Sequence, residues 1–210
     1  MKKYILLLLF LPSFLYSQTG ISNTKVGFTN YNNISFENIS KKEFNNHTKY
    51  EIVSMHDNKI QKADSSYTLF FDNKSIILYD KGEENDPSFV KYNYMYSIFD
   101  VLCFEIKYYE ISTFLLIEKN TGMFVEILGD FFFSPGGSYL FCASQLENYE
   151  PFPNNIQIYK ITNSHIWLIA EYYLENWIPY NIKWDNETIF FEQRYSNGKI
   201  EYAKITINEL

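Results

Sequence analysis

Residues 131–144 read FFFSPGGSYLFCAS: a hydrophobic run, a Ser-Pro-Gly-Gly turn and a second hydrophobic run. Proline presets one turn dihedral and glycine supplies positive φ, so the stretch reads as two strands joined by a tight reversal. The plan returns at residues 180–193, YNIKWDNETIFFEQ, with Trp184-Asp185-Asn186 in the place of Pro135-Gly136-Gly137. Working outward, turn-forming groups recur at Asp57-Asn58, Asp72-Asn73, Asn120-Thr121-Gly122 and Asn197-Gly198. Several are flanked by runs of β-branched and aromatic residues, which makes hairpins of 67–71 with 75–79, of 113–118 with 123–128, and of 190–195 with 199–207. The last carries Asn-Gly, the strongest short hairpin signal.

Composition agrees. Aromatics are 20% of the 210 residues, almost all Tyr (19) and Phe (19), against only 8 Gly. Such residues favour pleated, half-buried surfaces. No segment keeps a helical period, and residues 166–173, apolar nearly throughout, read as a buried strand that takes Trp167 inside. The expected fold class is all-β, built of antiparallel repeat sheets.

The N-terminus carries an address. Lys2 and Lys3 precede the apolar run 5–11, Pro12 ends it, and Ser17-Gln18 follows, the pattern of an export signal over residues 1–17. The run is too short to span a bilayer and no other approaches that length, so no transmembrane segment is expected. The expected location is secreted or periplasmic. Residues 18–49 form a polar lead-in able to contribute an edge strand, and 50–210 a single all-β domain. With 18 basic against 25 acidic residues, the net charge of −7 excludes a basic surface of the kind nucleic acid requires.

Overlaying the hairpins gives about four units, at 50–93, 94–128, 129–178 and from 179 onward. The third strand of each ends alike, as SIILYDKG (75–82), TFLLIEKNTG (113–122), IQIYKITNS (156–164) and EYAKITINE (201–209). Repeats of this length mean an array of small sheets. On these residues the chain resembles a β-propeller of the broad WD-repeat and related periplasmic type. There an inner strand ends in Ser-Pro-Asp-Gly, which 131–144 matches with Gly136 for the Asp. The resemblance runs over 66–207 and implies a propeller-like fold. The units lack the Trp-Asp and Gly-His dipeptides of true WD repeats, so it extends to the architecture alone. An open curved sheet stack or a β-sandwich uses the same hairpins. The fourth unit has no outer strand of its own, and 26–36 is the one unassigned strand-like segment that can supply it.

Catalytic signatures are missing: there is no G-x-S-x-G elbow, H-E-x-x-H or phosphate-binding glycine loop, and His47, His56 and His165 stand in no metal-ligand spacing. No catalytic residue, metal or cofactor is therefore assigned. The loops 80–88, with Asp80, Glu83, Glu84 and Asp86, and 147–155 read as solvated and acidic. Trp177, Tyr180 and Trp184 form the candidate binding set, Trp177 and Tyr180 being expected on an exposed connection where rings can stack on a sugar or a partner side chain. The expected function is binding of a protein or glycan partner at the cell envelope, more in keeping with this sequence than catalysis. The alternative is an enzyme acting on an envelope polymer through a carboxylate pair drawn from residues such as Glu105, Glu110 and Glu126. A structural role in a larger secreted assembly is a third reading. Cys103 and Cys142 are expected not to be bonded. The overlay sets Phe104, Cys142 and Phe191 in one column and leaves Cys103 one position out, on the opposite face of its strand.

Overall fold

The computed structural model describes residues 33–50, 54–55, 57, 60–72, 74–144, 155–162, 165–174 and 176–208. The export signal, the lead-in up to residue 32, His56, Asn58, Asn73 and residues 147–154 of the second acidic loop lie outside the described residues. In chain order the elements are β1 (Ile34–Ile39), α1 (Lys41–Asn45), β2 (Ser66–Phe71), β3 (Lys74–Tyr79), β4 (Val90–Ile98), β5 (Val101–Tyr108), β6 (Ser112–Glu118) and β7 (Phe124–Ile127). There follow β8 (Asp130–Phe133), β9 (Tyr139–Ala143), β10 (Asn155–Thr162), β11 (His165–Tyr173), β12 (Trp177–Asp185), β13 (Thr188–Tyr195) and β14 (Ile200–Ile207). The fold is all-β with one short helix among the described residues.

Four antiparallel sheets follow the chain: β2-β3, then β4-β5-β6-β7, then β8-β9-β10-β11, then β12-β13-β14 with β1 added outside β14. The polar lead-in is thus part of the fold. β1 runs antiparallel to β14 from Ile34 opposite Ile207 to Ile39 opposite Tyr202, and supplies the outer strand that the fourth unit lacks. The second and fourth sheets begin slightly earlier than the repeat overlay placed those units, at Val90 and Trp177.

The sheets stack in sequence order, because alternate residues of each strand bury against alternate neighbours. Tyr67, Leu69 and Leu78 of the first sheet pack on Phe104, Ile106, Leu115 and Ile117 of the second. The second turns Cys103, Leu116 and Ile127 toward Leu140, Cys142 and Tyr159 of the third. The third turns Phe141, Ile156 and Ile158 toward Ile189, Phe191 and Ile205 of the fourth. Helix α1 covers the fourth sheet's outer face: Phe44 packs on Tyr202 and lies under the Lys183 ammonium, and His47 stacks on Phe190. At the other end, Phe70, Ile77 and Tyr79 leave the first sheet's outer face exposed.

Two expectations are corrected here. Trp167 is not buried: β11 is the outer edge of its sheet, and its ring is 51% exposed beside His165. Cys103 and Cys142 are unbonded, as expected, but the reason that the overlay gave, thiols on opposite sides, does not hold. Phe104, Cys142 and Phe191 do share a column, each facing the preceding sheet. Because the following face of one sheet meets the preceding face of the next, the offset at Cys103 brings both thiols into one interface instead of separating them.

Candidate functional site

The first strands of the last three sheets, β4, β8 and β12, are each an edge of their sheet. They meet around a cavity of about 230 Å³ lined by Tyr96 and Ile98, by Phe131, Phe132 and Phe133, and by Ile182 and Trp184. Lys49, Tyr50 and Ser54, from the segment between α1 and β2, complete the wall. That segment is fastened to β4 at Met55, which exchanges both backbone hydrogen bonds with Ser97 (2.8 and 2.7 Å) and accepts a third from its hydroxyl. A lining that takes three consecutive residues of β8 meets the strand at its edge, so it offers backbone polar groups as well as rings.

The rings are held by their neighbours. Phe131 packs edge-on to Phe114, and Phe133 packs against Phe99. Phe99 lies over Gly137, where a Cβ would come within 2.6 Å of its ring. Trp184 is 6% exposed and its indole N–H donates to the Phe132 carbonyl (3.2 Å), tying β12 to β8 across the cavity. Burial, with a smaller contribution from Cys103, pushes the Tyr96 phenol up to about 12. It therefore stays a neutral donor and acceptor over the ordinary pH range.

Of the three predicted binding residues, the structure brings Trp184 to this cavity and leaves Trp177 and Tyr180 farther along β12. They do not lie on a connection. Pro179 does not interrupt the strand because β12 is an edge, where a missing N–H costs no ladder bond. Trp177 pairs with Tyr195, half-buried and stacked on Phe191 at 5.8 Å. Tyr180 is 44% exposed with the Arg194 guanidinium 3.4 Å over its ring. The residues that sequence reasoning missed are Lys49, Tyr50, Tyr96 and the Phe131–Phe133 run. The overlay held part of the signal, since it matched Phe133 to Ile182, and both line the cavity.

The carboxylates lie elsewhere. Glu105 stands opposite Phe114 and Glu126 opposite Leu115, neighbours on one strand, so the two acids point to opposite faces of the second sheet. Glu105 is bonded by Asn93, and Glu126 by Tyr108 and Thr113. In the acidic loop, Asp80 pairs with Lys62 at 2.6 Å and Asp86 accepts from the Ser88 N–H, which lowers its pKa. A second, more open hollow beside the β12–β13 turn includes Asp185 and Glu187, with His47 Nδ1 3.0 Å from Asp185. Among the described residues no three His, Cys, Asp or Glu side chains are grouped to hold a metal ion, and no helix is long and apolar enough to cross a membrane. No protein family, curated protein or solved structure matches the chain.

Proposed function

We propose that the chain is an exported binding protein that recognises a glycan at the cell envelope, one sugar ring entering the cavity between β4, β8 and β12. The observation that carries this reading is the lining: six aromatic residues, strand-edge backbone and hydroxyls, with no carboxylate among the described residues. Aromatic faces stack on the apolar faces of a sugar ring, and edge backbone groups and hydroxyls satisfy its hydroxyls, which are costly to bury unpaired. The basic residues and apolar run at the N-terminus support export. A propeller-like arrangement is supported by the same convergence of first strands and by the outer strand that β1 lends to the last sheet. The enzyme reading has less support, because Glu105 and Glu126 face apart and the described residues of the cavity wall include no acid.

The test is a survey of envelope and extracellular oligosaccharides by calorimetry, followed by Tyr50→Ala. Tyr50 is about half exposed, so its loss spares the core. A saturable ligand whose affinity falls about tenfold in the variant, the worth of one stacked ring, supports the reading. Binding that ignores Tyr50, or no binding to any glycan, removes it.

A further inference from the structure

We infer that the ring this cavity takes is an acidic sugar, a hexuronate unit whose single carboxylate is met by Lys49. The inference rests on the glycan reading above and adds the charge of the ligand. Lys49 is the one charged residue among the ten described residues that line the cavity. In a chain of net charge −7 a cation at that wall runs against the average surface. Several other lysines of the fold are committed: Lys62 to Asp80, Lys107 to Glu105, Lys199 to Glu201, and Lys204 to Glu37 and Glu43. Lys74, Lys119 and Lys183 donate to backbone carbonyls. Among the described residues Lys49 makes none of these bonds and is exposed at the mouth, so its ammonium is available to a ligand.

The neighbouring groups select which anion. Among the described lining residues the other polar side chains nearest in sequence and wall are the hydroxyls of Tyr50, Ser54 and Tyr96, so this wall matches one negative charge, and a charge-assisted bond to a carboxylate is stronger than one to an uncharged hydroxyl. The cavity, at about 230 Å³, is below the usual range for small-molecule sites. A planar carboxylate replacing a hydroxymethyl group adds almost no bulk to a ring. A sulfate or phosphate ester adds a tetrahedral group, and a phosphate brings nearly two charges against one lysine.

The experiment is calorimetric titration of the full mature chain with three oligosaccharides of equal length: glucuronate-containing, neutral, and sulfated. Lys49→Gln is measured alongside, its melting temperature serving as the control for folding. The expected result is a preference for the glucuronate ligand of about tenfold over the neutral one, weakening with added salt and abolished in Lys49→Gln. A neutral or sulfated ligand bound as tightly as the acid, or a preference that survives Lys49→Gln, overturns the inference and leaves the glycan reading in place. No binding to any of the three, or to any sugar in the wider survey, overturns both.

Discussion

At the scale of single residues, Glu118 shows how a charged group is made structural. It ends β6 fully buried, and its carboxylate accepts from the backbone N–H groups and side chains of both Asn120 and Thr121 at 2.7–3.0 Å. Burial pushes its pKa up, but the Thr121 and Asn120 bonds together outweigh it, leaving the group below the ordinary value. The matching residue of the preceding unit, Asp80, is also tied into the fold, accepting from the Tyr92 N–H while paired with Lys62. Because the folded pKa of Glu118 is depressed, its stabilisation is complete above the unfolded carboxyl's pKa and is lost as pH falls through the folded one. Glu118→Gln replaces one carboxylate oxygen by an NH₂ and so sets it against two of the four donors. It is expected to cost about 1–3 kcal/mol in urea denaturation at neutral pH and to remove part of the acid sensitivity between pH 5 and 3. An unchanged midpoint contradicts the account. In sequence this residue was legible only as part of a recurring strand end, IEKNTG, since four local bonds to one carboxylate leave no periodic mark.

The elements were legible where local chemistry decides them. The hairpins at 67–79, 113–128, 131–144 and 190–207 all form, since a turn and its flanking strands are specified within some fifteen residues. What failed depends on a neighbour: Trp167 reads as core from its own apolar run, and only the absence of a strand beyond β11 exposes it. For the same reason the cavity was half visible, its β8 and β12 walls matched in the overlay while Lys49 and Tyr50 arrive from a segment without strand pattern. The turn between β8 and β9 gives a sharp test of the repeat comparison. Gly136, which stands where the propeller pattern has Asp, has no positive φ and open space around a built Cβ, whereas Gly137 has φ +73° and the Phe99 ring against it. Gly136→Asp is expected to leave the thermal midpoint within a degree or two, and Gly137→Ala to lower stability by about 1–3 kcal/mol through backbone strain and displacement of Phe99. Equal effects at the two positions refute this reading of the turn.

For the whole molecule, a stack in which the inner sheets bury both faces puts thiols and several phenols where ionisation is strongly disfavoured. Burial raises the Cys103 thiol to about 12, against a small opposing effect of Lys119, holds Cys142 well above the ordinary thiol value, and raises Tyr172 to about 12. Folded values above unfolded ones mean that the stabilisation is complete below the unfolded thiol pKa and is lost as pH rises toward the folded values. Each buried thiol is expected to remove about 1.4 kcal/mol of stability per pH unit above that point, read as a falling urea midpoint between pH 8 and 10.5. Folded protein at pH 8 is expected to resist thiol reagents, and denatured, unreduced protein to titrate two thiols. The stack order itself was not legible, because it is carried by which face of each strand meets which neighbour, and the offset of Cys103 from Cys142 has meaning only once sheets are laid on one another. The pairing of β1 with β14 also governs when the molecule is finished. Ile34 meets Ile207, so the last sheet lacks its outer strand until residues 200–207 have been made. The first hairpins close early, while this closure spans nearly the whole chain and carries the largest loop entropy. Closure of the last sheet therefore waits for β14, and a chain released short of residue 200 has no β14 for β1 to join.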